Sequence, residues 1–124
     1  MSATVRGIRG ATTVEINARE EILQATFELL KVIAKENNIV SEDIASIIFT
    51  VTNDLDAAFP AEAARELMGW SYVPLLCMNE MNAPGKLRMC IRVLLHVNTE
   101  LPQQEIRHVY LRKASQLRPD LSLR

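Results

Sequence analysis

Over residues 87–97 the chain alternates without a break, with Leu87, Met89, Ile91, Val93, Leu95 and Val97 on one side and Arg88, Cys90, Arg92, Leu94 and His96 on the other. A period of two is that of an extended strand, whose successive side chains point to opposite faces of a sheet. A strand this long with one strongly apolar row demands a core against that row. It also sends Arg92 to the opposite face, near its middle. A charge there is unfavourable unless it is paired or put to use. On the residues alone, an ion pair with Glu80 or Glu100 and a ligand-binding role stand about equal.

The remaining elements follow from local chemistry. Residues 4–8 read as a strand ended by a turn at Arg9-Gly10. Asn17 is placed to cap a helix, with Glu20 three residues on as in a capping box and Ile22, Thr26, Leu29, Leu30 and Ile33 on one face. That helix should stop near Asn37-Asn38, a pair that tolerates the left-handed conformation. Ser41-Glu42-Asp43 caps one further helical turn before a β-branched, apolar run at 44–51, the kind found in buried strands. Pro60 opens a second helix that runs to Gly69. Residues 70–77 read as a strand that Pro74 restricts to an edge or a bulge. After a turn at Pro84-Gly85 and the long strand come a turn or short helix at 102–104, a strand at 106–111 and a closing loop at 118–120. The order of strand, helix, strand, helix and then further strands is that of an α+β fold, a mixed β-sheet with helices packed on one face. Its other face would leave apolar positions such as Leu94 exposed unless another subunit packs there, so an oligomer is expected.

Length and charge limit the function classes. The 124 residues suffice for one domain and leave no room for a second. Fourteen basic and 15 acidic side chains give a net charge of -1, which argues against a nucleic acid or an anionic membrane as partner. No stretch approaches the roughly 20 apolar residues of a membrane span, and the N-terminus lacks a signal-peptide core. Both absences point to the cytoplasm; Cys77 and Cys90 could form one disulfide, but they lack zinc spacing and, without a secretion signal, read as two free thiols. Gly-x-Ser-x-Gly, His-Glu-x-x-His, Cys-x-x-Cys and phosphate-loop signatures are all missing, so an enzyme built from this chain should work by position and electrostatics.

Arg6-Gly7-Ile8-Arg9-Gly10-Ala11-Thr12-Thr13-Val14-Glu15, Asp56-Ala57-Ala58-Phe59-Pro60-Ala61, Cys90-Ile91-Arg92-Val93 and Arg107-His108-Val109-Tyr110-Leu111, joined by Leu117-Arg118-Pro119-Asp120-Leu121, together resemble the short, monofunctional, trimeric chorismate mutases. The resemblance runs nearly end to end, in order and at family spacing. It implies a single chorismate mutase domain over 1–124 and a homotrimer forming a pseudo α/β barrel, with active sites between subunits. It also implies an isomerase of aromatic amino acid biosynthesis that turns chorismate into prephenate without cofactor or metal.

That Claisen rearrangement leaves partial negative charge on the breaking ether oxygen, and a guanidinium meets such charge with a planar fork of donors. By resemblance Arg92 takes this role, and Arg9 joins it in gripping the side-chain carboxylate with Tyr110 as a neutral donor. Glu80 binds the substrate hydroxyl, with the backbone or side chain of Cys77 close by. Phe59, Ala61, Leu76 and Leu117 supply apolar walls, and Arg65 and Arg118 attend the ring carboxylate. Glu62 stands where some relatives have a basic residue and is assigned no contact. Apart from the resemblance, Arg9, Arg65 and Arg118 read as exposed arginines, Glu80 as a solvated carboxylate, and Tyr110 and Phe59 as packing residues. His96 and His108 lack partners at ligand spacing and read as structural. Two rivals remain: an enamine or imine deaminase on a similar trimeric fold, and a non-catalytic domain that binds a small carboxylate.

Overall fold

The computed structural model describes residues 3–120. In chain order its elements are β1 (Thr4–Thr13), α1 (Arg19–Asn37), a 3-10 turn (Ser41–Asp43), β2 (Ile44–Val51), a π-helical segment (Ala63–Leu67), β3 (Leu75–Asn79), β4 (Cys90–Thr99), a 3-10 turn (Gln103–Glu105), β5 (Val109–Tyr110) and a last 3-10 segment (Arg112–Gln116). The strands form one mixed sheet in the order β3-β2-β4-β1-β5. The central strand β4 lies antiparallel to both β1 and β2, while β3 runs parallel to β2 and β5 parallel to β1.

The alternation of β4 places the core as expected. Ile91, Val93, Leu95 and Val97 are buried together with Ile8, Ile47 and Phe49 of the neighbouring strands. Leu29, Leu30 and Ile33 of α1 close over the larger part of this row. Asn38 ends α1 at φ 54°, and its N–H caps the carbonyls of Ala34 and Lys35. β2 has the expected bounds, and β3 is an edge strand, as Pro74 required.

Several boundaries differ from the sequence reading, each for a local reason. β1 does not turn at Arg9-Gly10 but continues to Thr13, paired residue for residue with β4. Gly10 marks a close approach instead of a bend: a Cβ there would lie 2.7 Å from Ile33 Cδ1 and 3.1 Å from the Val109 carbonyl oxygen. Asn17 does not cap α1, whose N-cap is Ala18 with no side-chain bond. Its Oδ1 accepts the N–H groups of Asp56 and Ala57, and its Nδ2 donates to Asp56 Oδ1 at 2.8 Å. The segment before β3 is a turn, in which the Val73 N–H donates to the Trp70 carbonyl, so the strand starts only at Leu75. β4 starts at Cys90 because Met89 sits at φ 53°, with its N–H on the Asp54 carboxylate. β5 shrinks to two residues because Asn37 takes both backbone groups of Arg107, accepting its N–H at 2.8 Å and donating to its carbonyl at 2.9 Å. The second helix begins after Pro60 as expected, but it is short and π-helical, ending before Gly69 at φ 73°.

Candidate active site

The sheet face turned away from α1 gathers the first set of site residues. Strand register puts Arg92 beside Ala11 of β1, and Ala11 beside Tyr110 of β5, so these three form one row across the sheet. Arg9 lies one pleat along on the same face, paired with Leu94, which makes it a diagonal neighbour of Arg92. Glu80 follows β3 and is anchored by its own N–H, which donates to the Val51 carbonyl at 2.8 Å. Its carboxylate accepts Arg92 Nε at 3.0 Å and Nη2 at 3.4 Å. The structure thus selects Glu80 over Glu100 as the partner of Arg92. This pair sits at the floor of an open face, with 40% of the Arg92 side chain and 13% of the Glu80 side chain exposed. The fork engages Nε and Nη2 and leaves Nη1 outside it.

The last 3-10 segment folds over one end of the same face. Ala11, Cys90, Tyr110 and Ala114 form a small apolar cluster, and Leu117 packs on it. Arg118 is forked to Asp120 at 3.2 and 2.9 Å, and that carboxylate raises its pKa. His108 has a structural role, as its lack of partners at ligand spacing suggests: its Nδ1 accepts the backbone N–H of Arg9 at 2.9 Å. Burial, followed by the charges of Arg9 and Arg118, lowers the His108 pKa and favours the neutral ring that such an acceptor needs. No sequence pattern marks this contact, because its partners are 99 residues apart. Burial pushes the Cys90 thiol up to about 11, against the opposing pull of Arg92. Leu121, the last residue of the matching C-terminal segment, lies outside the described residues.

The second set lies across β3. Leu76 shares the open face and is 55% exposed at its edge. Cys77 points the other way, paired with the buried Phe49, so its side chain does not accompany Glu80. Burial raises its pKa, while the Ala61 backbone and the Arg65 charge act to lower it, which places Ala61 and Arg65 beside the thiol. Ala61 is buried, Arg65 is exposed with Glu66 at 3.4 Å, and Phe59 is 69% exposed. A cleft of about 470 Å³ is lined by Phe59, Pro60, Cys77 and Met78 together with Arg19 and Glu62. The sequence-predicted site residues therefore fall into two groups, one of cations and a carboxylate on the open sheet face, the other mostly apolar at the sheet edge. The chain does not bring them together within itself.

A third feature pins the loop between them. The Asp54 carboxylate accepts Thr52 Oγ1, the Met89 N–H and, at 3.5 Å, the Arg88 guanidinium. Burial acts to raise its pKa, but the hydrogen bonds of Thr52, Met89 and Arg88 outweigh it and the net shift is downward. Among the described residues no three His, Cys, Asp or Glu side chains group to hold a metal, and no helix is long and apolar enough to cross a membrane.

Comparison with known proteins gives concordant results. The sequence profile of the family described as chorismate mutase type I matches residues 5–121. Chorismate mutase AroH of Bacillus subtilis (strain 168) is 56% identical over 119 residues, spanning 96% of this chain and 94% of its own. Chorismate mutase AroH of Thermus thermophilus is 57% identical over 118 residues, spanning 94% and 96%. The solved structure of a chorismate mutase from Clostridium thermocellum superposes with a TM-score of 0.87 at 55% identity, covering 90% of this chain and 98% of that one.

Proposed function

The chain belongs to the chorismate mutase type I family, and from that premise we propose how it acts. Its reaction is the isomerisation of chorismate to prephenate, a step towards phenylalanine and tyrosine. The substrate carries two carboxylates, and the bond that breaks is an ether whose oxygen gains negative charge as it lengthens. Catalysis then requires donors more complementary to that stretched state than to the ground state.

The observation that carries the mechanism is the Arg92 guanidinium, fixed by the Glu80 fork on an open sheet face with Arg9 as its diagonal neighbour. Glu80 holds the plane of the guanidinium and accepts the substrate hydroxyl. Arg92 presents its remaining donors to the ether oxygen, and Arg9 with Tyr110 grips the side-chain carboxylate. A preorganised charge of this kind needs no reorganisation as the transition state forms. No proton is transferred and no covalent intermediate arises, and the step uses neither cofactor nor metal. Leu117 and Arg118 close one end, with Arg118 towards the ring carboxylate. Phe59, Ala61, Leu76, Cys77 and Arg65 form the opposite wall.

Because the second group lies at and beyond the β3 edge, away from Arg9 and Tyr110, each site is completed across a boundary between copies. Residues 1–124 form one domain, and three domains join through their open sheet faces into a trimer with a pseudo α/β barrel. Exposed Val5, Leu76 and Met78 and half-buried Leu94 on that face support this arrangement. Two free thiols accord with the reducing cytoplasm.

Purified protein mixed with chorismate in buffer containing a chelator should consume it by first-order decay of its absorbance and yield prephenate. Loss no faster than in buffer alone, or activity that returns only on adding a metal, would overturn the mechanism.

A further inference from the structure

The lining of the edge cleft includes a solvent-reaching ion pair that the mechanism above does not use. Arg19 opens α1 and Glu62 precedes the π-helical segment, and both line the cleft together with Phe59, Pro60, Cys77 and Met78. Their contact is a full fork, with Nη1 to Oε1 and Nη2 to Oε2 both at 2.8 Å. The neighbouring charges are Asp56, which Asn17 holds, and the adjacent Arg65 and Glu66. The cleft and its surroundings thus carry three carboxylates against two guanidiniums, an unfavourable setting for a substrate with two negative charges unless the Glu62 carboxylate is masked.

We propose that Arg19 is a positioning residue for substrate capture, acting through Glu62: by holding that carboxylate in its fork, it removes a repulsive charge from the entrance of the active site. This rests on the reading of the Phe59 to Cys77 cleft as one wall of that site. The hydrogen bond from Arg19, ahead of its charge, lowers the Glu62 pKa, which favours the ionised carboxylate and a charge-assisted fork. Both groups reach solvent, so the pair contributes little to folding. A dianion approaching the mouth still feels the balance, because two charges separated by less than a Debye length interact at low salt.

The test is steady-state kinetics on chorismate at low and high ionic strength. Arg19→Ala should raise KM by about 3- to 10-fold at low salt with kcat held within about twofold, and the difference should shrink towards 1 M salt. Arg19→Lys, which keeps the charge and loses the fork, should fall between Arg19→Ala and the parent. Glu62→Gln should leave KM unchanged or lower it, and the double variant Arg19→Ala/Glu62→Gln should return to the parental KM. A role as a simple tether would instead lower thermal stability and leave KM and its salt dependence alone. Arg19→Ala with the parental KM at low salt overturns the proposal, as does an equal KM rise in the double variant. Phe59→Ala run alongside tells the two readings apart: if it raises KM while Arg19→Ala does not, only the role of Arg19 falls. If neither moves KM, the cleft is not a wall of the site and both fall.

Discussion

At the scale of the residue, Arg92 shows how much a pattern can carry. Its place on the face opposite the apolar row is legible in the alternation of 87–97, and so is the need for something to offset its charge. The choice between Glu80 and Glu100 was not, because it depends on β3 pairing with β2 at the sheet edge, so that the residue after β3 comes within reach of Arg92 across β2. An ion pair and a functional role need not exclude each other, since in the proposed mechanism the carboxylate that neutralises Arg92 also aims it. Arg92→Ala should lower kcat by at least ~10²-fold, about 3 kcal/mol, the scale of losing one preorganised donor, with an unchanged circular dichroism spectrum. Arg92→Lys should restore little of that, because a point charge replaces a planar fork. A folded Arg92→Ala protein with full kcat would remove Arg92 from the mechanism. The bond from Arg9 to His108 was beyond reach of the sequence, which shows a histidine without neighbours at any recognisable spacing.

At the scale of the element, the strand and helix types were legible where a period persisted, as in α1, β2 and β4. Boundaries failed where a side chain took over a backbone partner. Asn37 shortened β5 by claiming Arg107, and Asn17 left the helix cap to hold 56–57. Neither event has a local signature, since an asparagine before a helix or at its end is read most simply as a cap. Gly10 misled in the same way, because a glycine between two apolar runs reads as a turn until the helix lying on it is known. Gly10→Ala should destabilise the fold by about 1 to 3 kcal/mol, the range for forcing one extra carbon into a packed core. Ile33 Cδ1 can rotate aside, but the Val109 carbonyl belongs to a paired strand and cannot. Urea denaturation followed by fluorescence of Trp70 would measure it, and an unchanged midpoint would show that α1 lifts off β1 without penalty.

At the scale of the whole molecule, one apolar sheet face without a cover was implied by Leu94 alone, whereas what covers it is not written in any local pattern. Light scattering at micromolar concentration should give three times the chain mass of 14.0 kDa. Leu94→Glu should shift that mass to the monomer and abolish turnover, because each half-site would lose its counterpart. A monomeric mass for the active parent protein would end the shared-site arrangement. The sheet order has a consequence for how such a chain comes into being. The strand at its centre, β4, spans Cys90–Thr99, and both β1 and β2 bond to it. On the ribosome the first strand must therefore wait, its backbone groups unpaired, until nearly four-fifths of the polypeptide has been made. Such distant pairing slows folding and leaves strand edges open to neighbouring nascent chains. Holding off those encounters, by chaperones or by slow synthesis, is a demand built into the topology itself.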